Sequence, residues 1–280
     1  MPLKVPSALC CMNETVKYRR GGAFLERENR REREWNENQL EGRNAVLEVL
    51  RSGRDIEKIM VQKGNVEGTI KRIVAQAAEK GVVIQEVSRQ KLDELSQTKN
   101  HQGVIALVSA HDYVEVEDIL AAARAKGEDP FIILLDGITD PHNLGAILRT
   151  AECAGAHGVI IPKLRSVGLN ATVGKTSAGA IEYMPVAKVT NLVKTMEQLK
   201  KEGLWFACAD MGENDHFDTN LKGPIGLVIG SEGEGVSRLV KENCDFTASI
   251  PMYGKISSLN ASVAAALLMY EVVRQRNYSK

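Results

Sequence analysis

The chain has 280 residues, 44% of them hydrophobic and 26% charged, with 36 basic and 36 acidic residues and a formal net charge of zero. That balance fits an ordinary globular protein of one large or two modest domains and gives no overall charge sign that would announce a polyanionic partner. No apolar run approaches the roughly 18 residues needed to cross a bilayer, and no secretory leader is evident, so a cytoplasmic protein without a membrane is expected. The five cysteines (Cys10, Cys11, Cys153, Cys208, Cys244) have neither disulfide-framework nor metal-ligand spacing, so no metal is expected; Cys153 and Cys208 sit in apolar segments and read as buried small hydrophobes.

In chain order, residues 1–38 carry mixed charge with few apolar anchors, as in "KYRRGGAFLERENRREREWNEN", and read as a disordered tail. The alternative is an arm that orders on RNA through Lys17, Arg19 and Arg20. Order is expected from about Leu40. "LEGRNAVLEVLRSG" has helical spacing and a stop at Gly53, "IEKIMVQ" is strand-like, and "VEGTIKRIVAQAAEKG" is a helix ending at Gly81. "VVIQEVS", the short helix "RQKLDELSQT" and "GVIALVS" complete a small α/β domain over 39–111. Residues 112–128 hold an acidic opening and a helix before Gly127 to Pro130, and read as a linker.

From 129 to 280 the strands become continuously apolar: "FIILLDGI", "GVIIP", "YMPVAKV", "LWFACAD", "IGLVIG" and "FTASIPM". Such runs predict a parallel sheet covered on both faces, with "NLGAILRTAECAG", "LVKTMEQLKKEG", "GVSRLVKEN" and a last helix from near Asn260 as its cover.

An open α/β sheet binds ligands beyond the carboxyl ends of its strands. A dinucleotide fingerprint is absent there: "TDPHNLGA" follows the first strand, without the required glycines. "VGKTSAG" imitates a P-loop, but five residues ("LNATV") rather than four separate Gly168 from Gly174. A nucleotide hydrolase is therefore a distant alternative. What the carboxyl-end loops do share is polar side chains on tight backbone. "LDGITDPHNLGAILRTA" (135–151), "LVIGSEGEGVS" (227–237) and "IPMYGKISSLNASVAAA" (250–266) supply Asn143, Arg149, Glu232, Ser258 and Asn260 beside Gly230, Gly233 and Gly235.

In order, spacing and content these stretches resemble the three motifs of the SpoU (TrmH-like) RNA 2'-O-ribose methyltransferases of the SPOUT class. "EGRNAVLEVL" and "NHQGVIALV" resemble the ends of the small ribosomal-protein-like RNA-binding domain of the 23S rRNA guanosine methyltransferase (RlmB-type) branch. The resemblance implies a C-terminal domain tied in a trefoil knot, a homodimer, and S-adenosylmethionine as methyl donor. Gly230, Ile250 and Leu259 would bind that cofactor largely through the main chain. Catalysis would fall to Arg149, Asn143, Glu232, Ser258 and Asn260, with Arg149 orienting the ribose hydroxyl and a phosphate near the other subunit's cofactor. The substrate implied is a guanosine of bacterial 23S rRNA, with a tRNA or an antibiotic-resistance rRNA site as alternatives. His142 is not a required position of the motif. Arg43, His101 and Gln102 in the small domain, and Lys175 and Lys255 near the knot, are candidate RNA contacts.

Simpler roles compete at single residues. Asn260 could cap the last helix, and Ser231 and Glu232 could cap "GVSRLVKEN". Arg149, between Leu148 and Ala151, could be a structural ion-pair partner, because an apolar helical stretch is a poor place for an unpaired charge.

Overall fold

The computed structural model describes residues 38–64, 68–212 and 215–278. The tail read over 1–38, with Cys10 and Cys11, lies outside them except for Asn38.

The first sheet collects β1 (Gln39–Glu41), β2 (Ile56–Gln62), β3 (Ile84–Val87) and β4 (Val104–Val108) in the order β1-β4-β2-β3. β2 and β3 are parallel, and β4 runs antiparallel to both β1 and β2. Alternation decides which helix covers which face. Ile59 and Val61 of β2, with Val104, Ala106 and Val108 of β4, point to α1 (Arg43–Ser52) and α2 (Gly68–Glu79). Met60 and Ile105 point the other way and pack on Leu92 of α3 (Arg89–Leu95). β1 was not anticipated: "QLE" is too short to show a period, and it exists by pairing with β4.

The second sheet is entirely parallel, in the order β10-β8-β9-β5-β6-β7. It comprises β5 (Phe131–Asp136), β6 (Gly158–Pro162), β7 (Val186–Val189), β8 (Trp205–Ala209), β9 (Ile225–Gly230) and β10 (Phe246–Ala248). Successive residues of β5 serve opposite faces. Ile133 and Leu135 pack with Leu144, Ile147 and Leu148 of α5 (Pro141–Cys153) and with Ala265, Leu268 and Val272 of α9 (Ala261–Tyr278). Ile132 and Leu134 pack with Leu192, Met196 and Leu199 of α7 (Leu192–Lys201) and Val240 of α8 (Arg238–Glu242). Two-sided burial is why these strands read as unbroken apolar runs. Among the described residues no helix is long and apolar enough to cross a membrane.

The stretch read as a linker contains α4 (Val116–Lys126), opened by a Glu115/Asp118 capping box and closed by left-handed Gly127. Its Ile119, Leu120 and Ala123 are buried, and Ile119 and Leu120 join the Ile132–Phe206 side of the large core. Of the two cysteines expected to be buried, one is corrected and one is met. Cys153 is exposed at the end of α5, while Cys208 is fully buried. The segment holding Gly174, Lys175 and Thr176 forms α6 (Ala171–Thr176), which was not anticipated. Its N-terminus is capped by Asn170, and Lys175 lies in its last turn. A P-loop lysine opens its helix beside the phosphate-binding amides, and this one ends a helix of six residues. That arrangement removes the nucleotide-hydrolase alternative.

Candidate active site

β5, β6 and β7 are laid down in one direction, and β9 then pairs on the other edge of β5. The switch point therefore lies between β5 and β9, whose last residues, Asp136 and Gly230, are partners in register. The three motif loops open at this carboxyl edge. Gly137, in the left-handed region at φ 80°, turns the chain out of β5, and Asp140 caps α5 by accepting from the His142 amide at 2.9 Å, with Pro141 in its first turn. Asp136 accepts the Ser237 amide at 2.8 Å and ties the loop after β9 to the end of β5.

That second loop closes on itself. Ser231 and Gly235 exchange backbone hydrogen bonds of 3.1 and 3.0 Å. A Cβ on Gly230 would stand 2.1 Å from the Gly235 carbonyl carbon, so only glycine fits this crossing. Ser231 and Glu232 do not cap α8, which starts at Arg238 after Ser237. Glu232 turns instead to the first motif, accepting from Asn143 Nδ2 at 2.9 Å and from Asn260 Nδ2. Asn260 also donates to Asn143 Oδ1 at 2.9 Å. Its own Oδ1 accepts the amides of Ser262 and Val263 at 3.0 and 3.3 Å, capping α9. Asn260 thus caps a helix and joins the other two motifs.

Beside this knot of side chains is a cavity of about 400 Å³, within the range of small-molecule sites. Gly230, Glu232, Ile250, Ser258 and Leu259 all line it. The walls combine apolar Ile229, Ile250 and Leu259 with residues 230–235 and acidic Asp210, Glu232 and Glu234. This mixture suits a ligand with a flat heterocycle and a positive centre. Asp210, at the end of β8, was missed. The signal was available, since "LWFACAD" reads as a strand whose carboxyl end faces the same edge. Asp210 pairs with Lys241 of α8 and holds that ammonium above the ordinary lysine range.

Arg149 is placed differently from the other candidates. Leu148 and Ala151 are buried, but Arg149 lies on the opposite, exposed side of α5 and does not line the cavity. No ion pair to it appears among the described residues. The expectation of a charge set in apolar surroundings is corrected: helical geometry turns neighbouring positions by about 100° and puts this one in solvent. His142 is exposed and joins the site only through its backbone. Lys175 and Lys255 are both exposed.

In the small lobe, His101 is corrected as an RNA contact. It is 6% exposed, bonds Asp93 Oδ1 through Nε2 at 2.9 Å and accepts the Gly103 amide at Nδ1. Gln102 caps α1 by accepting the Arg43 amide at 3.1 Å, and its carbonyl accepts from Arg43 Nε at 3.1 Å.

Residues 130–270 match the SpoU rRNA methylase family, and residues 39–114 match the RNA 2'-O ribose methyltransferase substrate-binding family. The chain is 51% identical over 238 residues to the putative TrmH family tRNA/rRNA methyltransferase YacO of Bacillus subtilis, covering 84% of this chain and 95% of that protein. The fold is similar to the SpoU methyltransferase AviRb of Streptomyces viridochromogenes, with TM-score 0.54 and 25% identity over 85% of this chain and 89% of that one. A second structure of that protein, in complex with the cofactor AdoMet, superposes with TM-score 0.54 at 24% identity and the same coverage.

Proposed function

This chain belongs to the SpoU family of RNA 2'-O-ribose methyltransferases, and from that premise we propose that it methylates a guanosine of bacterial 23S rRNA, in the cytoplasm, as a homodimer that takes its methyl group from S-adenosylmethionine. The observation that carries the reading is the Asn143–Glu232–Asn260 network, which draws the three motif loops together beside one cavity at the switch point.

The cavity residues fit the donor. Gly230, Ile250 and Leu259 offer backbone and apolar walls to its adenosine, and the acidic lining of Asp210, Glu232 and Glu234 gives the cavity a sign that suits its positive groups. The bound donor supplies an electrophilic methyl. The chain must bring the ribose oxygen in line with that methyl and stabilise the charge that develops on it. The closed loop 230–235 and the network fix the cavity mouth, with Ser258 on its rim. Arg149 is assigned to the hydroxyl and an adjacent phosphate. Its guanidinium stays charged and presents a planar fork suited to phosphate. Because it stands away from its own subunit's cavity, it serves the partner's, which makes the dimer the active unit. The trefoil knot belongs to the same reading.

The test is transfer of labelled methyl from S-adenosylmethionine to purified bacterial rRNA, with Arg149→Ala alongside and the product nucleotide mapped. Label on a guanosine 2'-oxygen of 23S rRNA, lost in the variant, is expected. Label on tRNA alone would keep the chemistry and overturn the substrate.

A further inference from the structure

Three attachments tie β8 to the end of α8, and they follow the two-residue period of the strand. At one end the Phe206 amide donates to Asp245 Oδ2 and the Asp245 amide to the Phe206 carbonyl, both at 2.8 Å. At the other, Asp210 pairs with Lys241 beside the donor cavity. Between them stand Cys208, 0% exposed, and half-buried Cys244, just past the Asn243 cap of α8. Phe206 and Cys208 belong to one apolar cluster, and Cys244 packs against it. The two thiols are hydrogen-bonded to each other. Cys244 Sγ also lies 3.3 Å from the Val240 carbonyl oxygen, the other acceptor in its reach.

Two thiols in contact have a chemistry that a lone buried cysteine lacks. An oxidant that reaches one sulfur lets the other displace it and close an S–S bond. Cys244 is the sulfur that solvent reaches. Cys208 is the better nucleophile: the hydrogen bond from Cys244 outweighs burial and draws its thiol below the ordinary range, with Lys241 acting in the same sense. The same contact, then burial, holds Cys244 above its ordinary value. Oxidation therefore begins slowly at Cys244 and answers to an excess of oxidant rather than to traces.

We propose that Cys208 and Cys244 form a peroxide-sensitive dithiol whose disulfide loosens the grip of the cavity on S-adenosylmethionine. The Cys244 thiolate attacks one oxygen of hydrogen peroxide, the O–O bond breaks, and a sulfenic acid and hydroxide result. The Cys208 thiolate then attacks the Cys244 sulfur and expels a second hydroxide. The two thiol protons convert both hydroxides to water, so two thiols and one peroxide give one disulfide and two waters. An S–S bond is much shorter than a thiol–thiol contact, so closure draws the end of β8 towards α8. Ala209, Asp210 and Met211 line the cavity immediately beyond Cys208 and move with it. α8 spans five residues, and the Ser237 amide before it is held by Asp136, so a shift at Cys244 also reaches the 230–235 loop. In a reducing compartment such a pair acts as a sensor rather than as a structural bond. The effect on the donor rests on the reading of the cavity as its site, whereas the disulfide itself does not.

The test treats the full chain with hydrogen peroxide, blocks the remaining thiols with N-ethylmaleimide under denaturing conditions, and maps cross-linked peptides by mass. A Cys208–Cys244 peptide pair is expected, reversed by dithiothreitol and absent from Cys244→Ala, with Cys208→Ala as a second variant. Affinity for S-adenosylmethionine, by calorimetry, should fall about tenfold in the oxidised wild type, within the usual range of coupling between sites, and recover on reduction. Reduced Cys244→Ala should bind the donor as the wild type does, and peroxide should not weaken it. By reciprocity, saturating donor should raise the reduction potential of the pair in glutathione buffers by about 30 mV, the equivalent of that tenfold change. Peroxide that leaves both thiols free, or links either one to another cysteine, overturns the dithiol. A mapped disulfide with unchanged donor affinity overturns its effect on the cavity, as does an equal loss of affinity in peroxide-treated Cys244→Ala. Reduced wild type that binds no donor would end the reading of the cavity, while the mapped peptides still decide the disulfide.

Discussion

Asn143 on α5 donates to Glu232 at 2.9 Å across 89 positions of sequence, and this bond joins the loop after β5 to the loop after β9. Glu232 is exposed, so its loss costs the fold little, but it is the acceptor for two amides that must face one way. Glu232→Ala should lower turnover by at least about a hundredfold, the scale of losing preorganised polar geometry, while stability changes by no more than about 1 kcal/mol. Single-turnover methyl transfer and a thermal melt separate the two effects. Full activity in the variant would detach the network from catalysis.

At Gly230 the constraint is steric. A methyl group there would meet the Gly235 and Val236 backbone at 2.1 and 2.2 Å, and backbone cannot swing aside as a side chain can. Gly230→Ala should destabilise the chain by about 1–3 kcal/mol and open the 230–235 loop. Affinity for S-adenosylmethionine, measured by calorimetry, is expected to fall more than tenfold. Affinity retained at the wild-type level would show that the donor does not depend on this loop.

Arg149 offers a test of the dimer. It is exposed, so Arg149→Ala should leave stability within about 0.5 kcal/mol of wild type and abolish methyl transfer. Mixing inactive Arg149→Ala with inactive Glu232→Ala should restore activity, because a mixed dimer keeps one site with an intact arginine from one chain and an intact cavity from the other. If the mixture stays dead while mixed dimers are demonstrably formed, Arg149 acts within its own subunit.

These residues also show what a sequence carries. Unbroken apolar strands announced the parallel sheet because both faces are covered, and the polar loops after β5, β9 and β10 could be nominated because carboxyl-edge loops are where such sheets bind. Period alone could not tell that Asn260 reaches Asn143 across 117 positions, since that bond depends on how three loops fold back. It misled at Arg149, where apolar neighbours in sequence face away from it in space. β1 and α6, of three and six residues, are too short to show a repeat and are held by their neighbours. Asp210 had no motif around it, only its place at the end of a strand.

Between the lobes, Glu57 of β2 forms an ion pair with Lys188 of β7, their side chains 15% and 12% exposed. Tyr113 donates its hydroxyl hydrogen to Glu57 and accepts the Leu169 amide at 3.0 Å, and the Lys188 ammonium sits 4.8 Å from its ring centroid. Burial, then the Glu57 carboxylate, pushes the phenol well above its ordinary value, so it remains a donor. The latch continues inward, since the Val167 amide bonds the Ile138 carbonyl in the first motif loop at 2.9 Å. Breaking one side leaves the other charge buried. Lys188→Met should cost about 3 kcal/mol and lower the melting temperature by about 6–12 °C. Adding Glu57→Leu should recover much of that loss, because no charge is then stranded. If the double variant is no better than the single, the pair is not coupled.

Glu41 gives the small lobe a signature in acid. Burial alone would raise its pKa, but hydrogen bonds from Thr98, the Gln97 amide, Ser96 and Gln39 outweigh it and bring the group from 4.5 to about 2. A carboxylate with a depressed folded-state pKa binds its proton more readily when unfolded, so stability rises with pH through that window. The contribution of Glu41 is complete above about pH 4.5 and is lost as pH falls towards 2. Glu41→Gln lacks the charge at every pH. The melting-temperature gap between wild type and variant should therefore be widest at neutral pH, equivalent to about 2 kcal/mol for a charged acceptor of several hydrogen bonds. It should narrow steadily below about pH 4.5. Acid effects elsewhere in the chain cancel in the difference. A gap independent of pH would mean that the carboxylate holds residues 96–98 by shape alone and that its charge contributes nothing.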